Sequence, residues 1–201
     1  GIGNGFHYLS PNFKSVLALD ISQKCIDIAK EKPFTNITFE RMDLTDPNLK
    51  LEPVDFVLCS NVAIFAEVEK NYDILRNVRN SLKKNGNAVF VVPSLESILF
   101  YAWRLVDWYK REGVRLSEIP KSELDYFSDD KRDIIQGIAT IDGRRTKHYT
   151  HSEIQVIFEE TGLEIMDIVR LEYDWKTEFN KPPKWMKAPY PWDWMIECKK
   201  P

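Results

Sequence analysis

The feature that most restricts this chain is a succession of short apolar runs that are largely continuous instead of alternating with polar residues. VLALD (16–20), NITFERMD ending at Asp43, VDFVLCS (54–60) and NAVFVVP ending at Pro93 are separated by stretches with helical spacing. Strands that are apolar on both faces must be covered on both, and strands joined through helices run parallel. The chain therefore reads as α/β, built on a doubly wound, mainly parallel sheet.

The helices are marked by their ends. FHYL allows only a short helix before Ser10-Pro11. Ser22 stands where an N-cap belongs ahead of QKCIDIAKEK, which Pro33 closes. Between Glu67 and Lys84, Tyr72, Leu75, Val78 and Leu82 recur at helical spacing before Gly86. After Pro93 the rhythm changes. Ser94 caps a long helix with an apolar stripe of Leu95, Ile98, Leu99, Ala102, Leu105, Val106 and Tyr109. SEIPKSELDYFSDDKRD reads as a solvated connection, and IIQGIATI and RRTKHY flank Asp142-Gly143, a hairpin signal. Thr150 and Glu153 form a T-x-x-E capping box. LEIMDIVRLEYDW and WDWMIECKK are the last strands, joined by a long hairpin connection that makes the final strand antiparallel. Within that connection, KPPKWMK mixes cations with an aromatic and reads as a solvated hairpin.

Several function classes lose support at once. A net charge of −3 over 201 residues gives no electrostatic reason to expect nucleic acid or an anionic membrane. No apolar run approaches the roughly 18 residues of a membrane span. Cys25, Cys59 and Cys198 are odd in number and widely spaced, so they read as buried thiols in a reducing, cytoplasmic compartment, with no disulfide framework. No His, Cys or carboxylate cluster has metal-ligand spacing, and no metal is expected.

The spacing that speaks to function lies at the start. GIGNG places Gly1, Gly3 and Gly5 ahead of Asp20, the last residue of VLALD. A carboxylate at a strand end, about 20 residues after a glycine-rich turn, can accept hydrogen bonds from the ribose hydroxyls of a nucleotide. A dinucleotide motif needs a third glycine for helix packing, but the required positions hold Phe6 or Tyr8, so the NAD reading fails its own pattern.

What the segment resembles is the glycine motif of class I S-adenosylmethionine-dependent methyltransferases, and the resemblance continues along nearly the whole chain. VLALDIS is similar to that family's second strand, which implies that Asp20 binds ribose and Ile21 lies beside adenine. FERMDLTD resembles the third strand, with Asp43 and Leu44 as the adenine contacts. VDFVLCSNVAIFAEVE resembles the fourth strand and the loop facing the cofactor's methionine part, carried here by Ser60, Asn61 and Val62. LRNVRNSLKKNGNAVFVVPS and HYTHSEIQVIFEETGLEIMDI resemble the fifth strand with its helix, and the late helix with the sixth strand. The implied sheet order is 3-2-1-4-5-7-6, with a helix-plus-hairpin insertion, residues 94–149, between the fifth and sixth strands and over the substrate.

On this reading residues 1–201 form one methyltransferase domain that lacks its first strand. Gly1 and Gly3 are the last two glycines of the motif, or Gly1, Gly3 and Gly5 are all three. The cofactor implied is S-adenosyl-L-methionine and the acceptor a small molecule. A macromolecular acceptor reached through the Trp-rich hairpin, and a non-catalytic cofactor-binding or scaffold protein, are the other readings. In TKHYTH, strand-end and capping structure competes with a role for His148 or Tyr149 at the acceptor. Trp103, Asp107 and Trp108 on the insertion helix read as core more than pocket.

Overall fold

A computed structural model describes residues 1–124, 134–141 and 143–201, which fall into two compact units, Gly1–Leu49 and Lys50–Pro201. Part of the polar connection after Lys121, and Asp142 of the hairpin signal, lie outside the described residues.

The first unit runs α1 (Phe6–Asn12), β1 (Val16–Asp20), α2 (Gln23–Lys30) and β2 (Ile37–Arg41). β1 and β2 pair in parallel, from Val16 opposite Ile37 to Asp20 opposite Arg41. α1 is longer than FHYL suggested and carries Pro11 in its last turn. The Ser22 hydroxyl caps α2 by accepting from the Cys25 N–H. Phe6, Ala29 and Ile37 form the core, and the Phe6 ring meets those of Phe34 and Phe39 edge-on at 6.0 and 5.8 Å.

The second unit opens with β3 (Val54–Ser60), α3 (Val68–Ser81), β4 (Leu82–Pro93) and α4 (Leu95–Arg111). It continues through the short α5 (Lys121–Leu124), the hairpin β5 (Ile138–Ile141) and β6 (Arg144–Lys147), α6 (His151–Glu160), β7 (Glu164–Glu172) and β8 (Trp192–Lys199). Its main sheet has the order β3-β4-β8-β7, with β3 and β4 parallel and β8 antiparallel to both its neighbours. This is the 4-5-7-6 portion of the expected order. β1-β2 supplies the 2-3 pair.

α3 ends three residues before the expected Lys84. Leu82 continues the helical stripe but is already the first residue of β4, and it is buried in either role. Asn85, at φ 61°, turns the chain there, and a Cβ on Gly86 would stand 2.9 Å from the Lys83 carbonyl oxygen.

Ser94 and Thr150 cap α4 and α6 as expected, Thr150 within a full capping box with Glu153. The connection between β7 and β8 departs from expectation. KPPKWMK is not simply solvated: Met186 is buried with Tyr101, Leu105, Trp175 and Phe179 in one cluster on α4. Trp185 lies under the Arg111 and Arg104 guanidinium groups, at 4.3 and 5.2 Å. Trp108 packs edge-on against Phe179, and Asp107 accepts from both Arg104 and Arg111 at 3.0 Å. Trp103, read as core, is 57% exposed, and Leu99 of the stripe is also exposed.

Candidate functional site

In the first unit the structure brings the glycine turn and Asp20 together. Gly3 adopts φ 76°, and a Cβ there would lie 2.3 Å from the Phe6 ring, so the turn demands glycine at this position. Gly1 and Gly5 carry no such demand, since nothing lies within 4 Å of a Cβ built on either. Asp20 ends β1 with its side chain 18% exposed. Its Oδ1 accepts from the Ser22 N–H at 2.7 Å, and its Oδ2 meets the Gly1 nitrogen. Burial disfavours the charged form of this carboxyl, and the Ser22 N–H favours it. Asp20 is thus a partly accessible carboxylate acceptor beside a glycine turn.

Ile21, next along, is 52% exposed and unburied by its own unit. Asp43 lies just past β2, exposed, with Oδ1 accepting from the Thr45 N–H at 2.9 Å and hydroxyl at 2.8 Å. Leu44 beside it is half-buried.

In the second unit Ser60 ends β3, and Ser60 and Asn61 are exposed while Val62 is half-buried. Asn61 sits in the left-handed region at φ 53° and donates its N–H to the Val91 carbonyl at 2.9 Å. These three residues stand where β3 hands the chain to a loop.

His148 and Tyr149 are in a different situation. His148 is buried, with Nδ1 3.0 Å from the Thr146 carbonyl oxygen, and burial pushes its imidazole down to about 4. Tyr149 is buried and donates its hydroxyl to the Ala63 carbonyl at 2.7 Å; burial holds that proton far above the usual phenol range. The imidazole is thus enclosed, and the phenol already donates to backbone.

Sequence reasoning passed over Tyr173, Glu178 and Asp193. Burial, reinforced by the charges of Glu178 and Asp193, pushes the Tyr173 phenol above its usual range. Burial, reinforced by the Glu178 charge, pushes the Asp193 carboxyl up to about 6. Asp193 pairs with Pro93 across β4-β8, so it stands at the carboxyl end of β4. The W-D-W pattern could have flagged it, as an acid set between two buried tryptophans.

A family model described as a methyltransferase domain matches residues 1–86. Residues 1–86 are therefore similar to methyltransferase domains. The matched segment takes in the glycine turn, Asp20, Asp43 and Ser60–Val62, and ends at Gly86 after α3. A search of curated proteins finds no match.

Solved structures extend the likeness to the whole chain. A SAM-dependent methyltransferase from Methanosarcina mazei covers 100% of this chain and 88% of its own, with TM-score 0.68 and 15% identity. An S-adenosylmethionine-dependent methyltransferase from Mesorhizobium loti gives TM-score 0.63 at 18% identity, covering 100% and 87%. The N-methyltransferase NodS from Bradyrhizobium japonicum, solved with S-adenosyl-L-homocysteine, gives 0.60 at 12%, covering 100% and 74%. The chain has the class I methyltransferase fold.

Proposed function

We propose that this protein binds S-adenosyl-L-methionine and transfers its methyl group to a small-molecule acceptor. The observation that carries the proposal is the glycine turn with the Asp20 carboxylate beside it. The residues fit the group they would hold: Gly3 admits no side chain, and Asp20 offers a partly accessible carboxylate.

In this reading Asp20 accepts from the ribose hydroxyls, and Asp43, Ile21 and Leu44 flank the adenine. Within the second unit, Ser60, Asn61 and Val62 take the methionine end. Bound S-adenosylmethionine supplies a methyl group on a sulfonium, ready for in-line displacement by an acceptor lone pair. The protein's task is then alignment and exclusion of water, which requires no universal catalytic side chain. The insertion 94–149 selects the acceptor, because segments added after the carboxyl end of a strand are where α/β folds vary their ligands. Three free thiols suit a reducing cytoplasm, and among the described residues no helix is long and apolar enough to cross a membrane.

Calorimetric titration with S-adenosylhomocysteine tests the proposal. Saturable binding that weakens in Asp20→Ala supports it. A folded protein that ignores S-adenosylhomocysteine but takes up a nicotinamide or flavin cofactor would refute it.

A further inference from the structure

The loop after β3 is held by an unbroken series of bonds to its carbonyls. Val62 O accepts from the Ile64 N–H at 2.9 Å, and Ile64 O from the Lys147 N–H at 3.0 Å. Asn71 closes the far side, donating from Nδ2 to Phe65 O at 2.7 Å and accepting from the Phe65 N–H at 2.8 Å. Between them, Ala63 O accepts from the Tyr149 hydroxyl at 2.7 Å. That bond is the one a single atom can delete.

Tyr149 is itself fixed from several sides. Its N–H donates to Pro93 O and its carbonyl accepts from the Leu95 N–H, both at 2.9 Å, and from Trp194 Nε1 at 3.1 Å. The Lys147 ammonium lies 4.7 Å from its ring centroid. Lys147, with no exposed side-chain surface, pairs with Glu153 at 2.6 Å and donates to the Gln136 and His148 carbonyls at 2.6 and 3.0 Å. A buried, charge-compensated post of this kind positions whatever its hydroxyl grips. The grip falls on Ala63, directly after Asn61 in its left-handed conformation and Val62.

We propose that Tyr149 is a positioning residue for cofactor binding: through the Ala63 carbonyl it holds Ser60–Val62 in the geometry that receives the methionine end of S-adenosylmethionine. This rests on the cofactor reading above. It assigns Tyr149 a role in affinity for one part of the ligand, and none in proton transfer to or from the acceptor.

The test is Tyr149→Phe, which keeps the ring and removes only the donor, titrated with two ligands. S-Adenosylhomocysteine carries the amino-acid end; 5′-methylthioadenosine has the same nucleoside and a thioether but lacks it. Loss of one buried hydrogen bond predicts about a three- to tenfold loss of S-adenosylhomocysteine affinity. Affinity for methylthioadenosine should be unchanged. Equal losses for both ligands, or no loss for S-adenosylhomocysteine, overturn the proposal. If Tyr149→Phe does not fold, Asn71→Ser frees the loop from its other side and is judged by the same pair of titrations. Failure of the unaltered protein to bind S-adenosylhomocysteine overturns the cofactor reading instead, so the two failures are distinguishable.

Discussion

Asp193→Asn should stabilise the protein, and the gain should depend on pH. In the folded chain the Asp193 carboxyl is pushed up to about 6 by burial and by the Glu178 charge, against 3.8 for the free group. A group whose folded value is raised binds its proton more tightly in the native state. Stability therefore falls as pH climbs from about 4 to about 6, and the penalty stays in place above that range. A shift of this size converts to roughly 3 kcal/mol if taken at face value, and to about 1–2 kcal/mol after solvent screening of a partly exposed group is allowed for. Asparagine keeps the shape and removes the charge. For a chain of this size the gain corresponds to a Tm increase of about 2–8 °C at pH 7.5, with none at pH 4. Thermal melts of both proteins from pH 4 to pH 8 measure it. A Tm difference that is absent at pH 7.5, or that is the same at every pH, would show that ionised Asp193 carries no such penalty.

Other expectations can be checked with equal directness. Asp20→Ala should cost about tenfold or more in S-adenosylhomocysteine affinity, as expected for loss of charge-assisted hydrogen bonds, with melting little changed. Asp43→Ala should cost less, since its Oδ1 is already engaged by Thr45; a larger loss than for Asp20→Ala in the same titration reverses that ranking. Gly3→Ala should destabilise by about 2–4 kcal/mol in denaturant unfolding, combining left-handed backbone cost with overlap on the Phe6 ring, whereas Gly5→Ala should fall within about 0.5 kcal/mol. Among the thiols, Cys59 and Cys198 are buried and pushed up to about 12. Native treatment with a disulfide reagent should label Cys25 alone, and rapid labelling of all three would contradict that burial.

The strands were legible because continuous apolar runs and capping residues are local signals. Ser22, Ser94 and Thr150 each start their helices as their sequence context indicates. The β3-β4-β8-β7 order could be anticipated only through the family resemblance, because strand pairing is set by contacts that no local window contains. The limits of local signals show at Leu82, whose apolar side chain satisfies helix and strand equally and is buried in both. They show again in KPPKWMK, where the cations that suggested solvation belong to a segment whose Trp185 and Met186 find partners on a distant helix. At the site, Gly3 and Asp20 could be found by spacing. Asp193 could be suspected only from its place between two tryptophans, because its raised proton affinity comes first from tertiary burial and then from the Glu178 charge, neither of which a local window contains.

The aromatic packing of α4 also bears on how the chain reaches its native state. Tyr101, Leu105 and Trp108 emerge from the ribosome well before Trp175, Phe179 and Met186, the residues that cover them. Until those arrive, the helix presents an uncovered aromatic face. Contacts of such wide sequence separation form late, and surface awaiting them is where nascent chains associate wrongly. Substitutions in the connection between β7 and β8 should accordingly lower the yield of soluble protein more than they lower the melting temperature of the molecules that do fold.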